Sequence, residues 1–98
     1  MEKKERIADL LRAQGQSEAA NRLLGVARQG RITFGHDVEV CISEVFGLTG
    51  LKVGVSWKSL GQVGFQAAHD IAQLLRSAAH LASEIQAIID APEEEAVN

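Results

Sequence analysis

An α+β fold is what this 98-residue chain predicts, from three observations. Its C-terminal third carries an apolar seam at helical spacing, its middle alternates apolar and polar residues with period two, and its first thirty residues hold two short amphipathic stretches separated by a glycine. Together they predict an N-terminal helical hairpin, a small antiparallel β-sheet of two to three strands and a long C-terminal helix, with an all-α arrangement as the alternative.

From Glu2 to Ala13, Ile7, Leu10 and Leu11 with Ala8 form one apolar face among Glu, Lys, Arg and Asp, which predicts a three-turn helix. Gly15 can turn left-handed past its end, and Ser17 with Glu18 behind it reads as the N-cap of a second helix reaching about Gln29. That helix would bury Ala20, Leu23, Leu24 and Ala27, with Gly30 as its terminator. Ile32 and Phe34 then alternate with Arg31 and Thr33, Gly35-His36-Asp37 has turn composition, and Val38, Val40 and Ile42 alternate with Glu39, Cys41 and Ser43. After Leu48-Thr49-Gly50 comes the cleanest alternation, Leu51, Val53, Val55 and Trp57 against Lys52, Gly54, Ser56 and Lys58, expected of a half-buried strand. The rival reading makes 37–47 a helix, since Val38, Ile42, Val45 and Phe46 also fit a helical stripe, but β-branched residues are poor helix formers.

The last element is the strongest. Leu60, Gly64, Ala67, Ile71, Leu74, Ala78, Leu81, Ile85 and Ile88 step by four and three, and Ala68, Leu75, Ala82 and Ile89 widen the seam to the breadth of a core-facing helix. Ser59 can cap it and Pro92 stops it. Residues 1–92 are expected to form one compact domain, and 93–98 an acidic mobile tail.

Hydrophobic residues make up 46% and charged residues 23%, ordinary globular usage that argues against disorder or a fibrous repeat. No apolar run approaches the roughly 18 residues of a membrane span, and Met-Glu-Lys-Lys-Glu-Arg lacks the apolar centre of a signal peptide. A cytoplasmic protein is the resulting expectation, and the single cysteine, Cys41, agrees with a reducing compartment. The net charge of −3 divides unevenly: residues 1–31 hold seven Lys or Arg against four acids, residues 32–98 three against nine.

No catalytic constellation emerges. Gly54-Val-Ser-Trp-Lys58-Ser59 follows a strand as a phosphate-binding loop would, but Trp57 and Val53 stand where the glycines are needed to wrap a phosphate. Gly61-Gln-Val-Gly64 has the spacing of an RNA-backbone clamp without a basic residue in it, and helix packing explains it better. Cys41 and His36 are five apart, hence on opposite faces of a strand, so Cys41 is expected as a small core residue. His69 and His80 are about 16 Å apart along a helix, too far to share a metal ion. No enzyme activity, cofactor or metal is therefore expected.

What remains is recognition. His69, Gln73, Arg76, His80 and Glu84 form one polar stripe on the long helix. With Phe65, which falls outside the seam, it is the candidate partner-binding face, and Arg76 is its anchor. The alternative is a DNA-binding regulator using the basic hairpin, with Arg22 and Arg28 on its second helix against the nucleic acid. Assembly is expected as well. A helix from Leu60 to Asp90 runs to roughly 46 Å and overhangs a domain of this size. Leu81, Ile85, Ile88 and Ile89 would then need covering, by the folded-back hairpin or, as the favoured reading, by a second subunit in a homodimer. The expectation is a non-enzymatic cytoplasmic protein that dimerises and binds a larger protein as adaptor, regulator or inhibitor. A compact acidic chain without motifs suits a phage or mobile-element protein that blocks a host machine, an association with a type of protein and not a reading of any residue.

Overall fold

A computed structural model describes residues 2–35, 37–45, 50–57 and 65–92, with 65–67 described as backbone only. The order is α1 (Lys3–Ala13), α2 (Ser17–Leu24), β1 (Gln29–Phe34), β2 (Val38–Val45), β3 (Gly50–Trp57) and α3 (Phe65–Asp90), an α+β arrangement. The predicted Leu60 start and Ser59 cap of α3, the turn residue His36, the loop residues Lys58 and Gly61–Gly64, and the tail 93–98 lie outside the described residues.

The sheet is antiparallel in the order β1-β2-β3. Pairing of Ile32 with Val40 and of Val40 with Val55 sets the register, so the even residues of β1 and β2 and the odd residues of β3 share one face. That face carries the helices: Ile32, Val38, Val40 and Ile42 are buried on it. The helix alternative for 37–47, and with it the all-α arrangement, is overturned. As the central strand, β2 fills its backbone hydrogen bonds on both sides, and its β-branched side chains fit the pleat better than a helix. Cys41 is corrected too. It is paired with Arg31 and Gly54 on the opposite, helix-free face, and is only half-buried there.

α2 is shorter than its apolar stripe predicts. It begins at Ser17, which is the first helical residue and not the cap, and ends at Leu24 with Gly25 as C-cap. Leu24 and Ala27 are exposed, and the buried face is Ala19, Ala20 and Leu23. Gly30 explains the early stop. It belongs to β1 and passes so close to α2 that a Cβ there would lie 2.6 Å from the Ala19 carbonyl oxygen. The chain must reverse within a few residues to make that approach, and Arg28 takes a φ of 56° in doing so, an uncommon conformation for a residue with a side chain.

Of Leu81, Ile85, Ile88 and Ile89, the residues placed at a dimer interface, Leu81 and Ile85 are buried within the chain itself and Ile88 and Ile89 are half-buried, so the first two need no second subunit to cover them. Leu81 and Ile85 are buried in the common core with Ile7, Ala8 and Leu11 of α1, and Ile88 and Ile89 pack against it. The Lys3 ammonium donates a 2.7 Å hydrogen bond to the Ile89 carbonyl, filling one of the carbonyls left open at a helix C-terminus with a cation that suits its dipole. Lys4 meets Glu44 of β2 at 3.0 Å. The hairpin is thus fastened to both α3 and the sheet.

Toward its N-terminal end α3 meets the β1–β2 hairpin. A Cβ on Gly35, at the tip of the β1–β2 hairpin (φ 68°), would meet Leu74 at 2.8 Å, so the helix passes the sheet's edge near Leu74. Ala68, His69 and Asp70 are all exposed, on the sides of the helix turned away from the half-buried Ile71. Among the described residues no helix is long and apolar enough to cross a membrane.

Candidate functional site

The core seam fixes the rotation of α3. With Leu74, Ala78, Leu81 and Ile85 turned to the sheet, Ser77 and Glu84 face sideways, toward β1, while His80 and Arg76 stand further round toward solvent, so that they border the site from its outer rim. There they meet Phe34 at the end of β1 and Gln14 at the C-cap of α1. Together these residues and Leu81 line an open groove of about 390 Å³. Three elements contribute to it, and its floor is apolar while its α3 wall is polar.

The wall has an electrical direction. Arg76 and Glu84 are eight residues apart, about 12 Å along the helix, and His80 stands between them with Nε2 3.7 Å from a Glu84 carboxylate oxygen. Arg76 is exposed and has no hydrogen bond or ion pair among the described residues. Its end of the groove therefore offers an unengaged planar cation, and the other end an acid already facing an imidazole. His69 and Gln73, one to two turns upstream, are hydrogen-bonded to each other at 3.2 Å in solvent and do not line the groove. Phe65 opens α3, and its side chain is outside the described residues.

The polar stripe thus divides into Arg76, His80 and Glu84, which line the groove, and His69 and Gln73, which do not. Phe34 and Gln14 were not legible as site residues. Alternation places Phe34 on the core face, but only the register of β1 against β2 and the rotation of α3 reveal that its strand-end position leaves it half-open beside Arg76.

The basic residues of the hairpin separate. Arg22 lies with Arg31, Glu18, Gln29 and Thr33 along a polar groove of about 440 Å³ between α2 and β1. Arg28 is beyond the end of α2, on the connection to β1, where its charge acts on Glu44. A recognition helix presenting Arg22 and Arg28 together does not form, because α2 stops at Leu24 and turns its apolar face onto the sheet.

Among the described residues Glu44 is the one group with a displaced titration. The hydrogen bond from Lys4 chiefly holds its carboxyl below the ordinary 4.5; partial desolvation opposes this, and the charges of Lys4 and Arg28 add to it. This is the chemistry of a structural fastening, and it lies away from the α3 groove. Among the described residues no three His, Cys, Asp or Glu gather as metal ligands. No family model, curated protein or solved structure matches the chain.

Proposed function

We propose that this chain is a non-enzymatic binding module, an adaptor, regulator or inhibitor, that grips a segment of a larger protein in the groove between α3, the end of β1 and the end of α1. The observation that carries this reading is Arg76, an exposed guanidinium without a partner among the described residues, at the rim of a groove that Phe34 and Leu81 also line. A planar fork beside an apolar floor is the combination that anchors protein interfaces, and Arg presents it with less ordering cost than Lys. The ligand that fits is a peptide segment with an apolar side chain for the floor and a carboxylate for Arg76. The acid at Glu84 sets the direction in which such a segment lies.

Capture from an extract of the cells that encode the protein tests this. Immobilised wild type retains a protein that Arg76→Glu releases, while the thermal unfolding of the two is the same, as expected of a surface change. Equal capture by both forms contradicts the reading.

A further inference from the structure

β3 is an edge strand: among the described residues nothing pairs with its outer side. Eight residues, Gly50–Trp57, leave about 26 Å of backbone donors and acceptors open. The devices that usually blunt such an edge are scarce. The strand has no proline, one charge at Lys52, and an unbroken register with β2 from Val38↔Trp57 to Val45↔Gly50, hence no bulge. Val55 and Trp57 point to the helix-bearing face and are still 40% and 45% exposed.

We propose that this edge pairs antiparallel with β3 of a second copy of the chain, across a two-fold axis at Gly54, joining two three-stranded sheets into one of six strands. The sequence around Gly54 is nearly palindromic. Two-fold pairing sets Val53 against Val55 and Leu51 against Trp57 on the helix-bearing face, and Lys52 against Ser56 on the other. Apolar residues meet apolar residues, and the one charge avoids its own copy. An axis between two residues would turn the apolar row of one copy onto the polar row of the other. An axis at Val53 would leave Trp57 without a partner inside the strand.

A second copy fits better than a foreign strand because of α3. The groove residues occupy the side of α3 toward β1, so its opposite flank, Ala72, Leu75, Ala79 and Ala82, leans over the β3 edge without a charge. α3 lies over both β3 and β2, and a helix axis about half a strand spacing inboard of β3 puts two copies about 10 Å apart, the separation of packed helices. Alanines allow that approach, and only a second copy brings a second helix. A contact about 26 Å long and two layers deep buries about 1,000 Å² in total, the lower bound of specific interfaces.

Gly54 provides the test, because a Cβ there meets nothing within 4 Å and the monomer tolerates a side chain. Sedimentation equilibrium gives a dimer at tens of micromolar for wild type. Gly54→Glu and Gly54→Lys, each setting like charges face to face, are monomers alone, and their mixture restores a dimer. Register is read by disulfide trapping with Cys41→Ser as background, since Cys41 stands opposite Gly54 within the chain. Added Gly54→Cys cross-links on mild oxidation, its Cα atoms falling within the roughly 4.4–6.8 Å that a disulfide spans. Added Lys52→Cys does not, because it faces Ser56. A wild-type monomer at several hundred micromolar overturns the proposal. So does a dimer indifferent to both charges, or cross-linking through Lys52→Cys as readily as through Gly54→Cys.

Discussion

Gly30→Ala is the most exacting perturbation of the packing described above. The added methyl would be built 2.6 Å from the Ala19 carbonyl oxygen, where ordinary contact begins at 3.4 Å, so α2 must retreat by about 0.8 Å from β1. α2 is held by Ala19, Ala20 and Leu23, all buried. Burial of one leucine and two alanines is worth about 3–4 kcal/mol, and a gap of this size forfeits about a quarter to a half of the contact energy. The loss is then about 1–2 kcal/mol, plus strain in a backbone that cannot swing aside as a long side chain would. An overall cost of about 1–3 kcal/mol follows. At the middle of that range the midpoint of thermal unfolding falls by about 8–16 °C. The assay is urea unfolding followed by the sole tryptophan and by far-ultraviolet dichroism, at one protein concentration for every variant. Gly54→Ala is the control: it too replaces a strand glycine, in open space, and should be no less stable than wild type, with a gain of up to about 1 kcal/mol. Gly30→Ala as stable as Gly54→Ala would refute the close approach of α2 to β1.

Ile85→Ala tests the covering of α3 by the hairpin; Ile85 is fully buried, and its truncation should cost about 2–5 kcal/mol, whereas a cost under about 0.5 kcal/mol would show the C-terminal turns to be uncovered in the monomer. The Glu44 fastening predicts a pH dependence. Its folded-state pKa is below 4.5, so its contribution to stability is complete above that pH and is lost as pH falls through the folded value. In Lys4→Met the carboxyl should titrate closer to 4.5, as read from its side-chain carbon resonance, and an unchanged titration would contradict the Lys4 contact.

Much of this fold is written in local periodicity. The seam from Ile71 to Ile88 specified α3, and alternation specified all three strands, because both patterns record which face is buried. Cys41 shows that the alternation deserved to be followed further: with Val40 and Ile42 facing the helices, position 41 had to face away, and the general preference of cysteine for cores misled. The end of α2 carried one local mark, Gly25, which the continuing stripe obscured. Leu24 and Ala27 continue the stripe, and what stops the helix is the distant requirement that Gly30 meet Ala19. The covering of Leu81 and Ile85 was equally nonlocal, since sequence spacing shows that a face needs burial and not which element supplies it. For the groove, spacing assembled Arg76, His80 and Glu84 on one side of a helix. Phe34 and Gln14 joined them only through the docking of three elements. The homodimer reading moved for the same reason, from apolar turns that the chain buries itself to a strand edge that it leaves open.

The binding role of the α3 groove is tested most directly by site-specific photo-crosslinking in the cells that encode the protein. A benzophenone side chain at His80, which is exposed on the groove wall, should give a discrete adduct with one protein, and Arg76→Glu in the same chain should abolish it. The same probe at Thr33, exposed beside the separate groove between α2 and β1, should give none. An adduct at Thr33 with His80 silent, or a His80 adduct indifferent to Arg76→Glu, would contradict the groove as the partner-binding site.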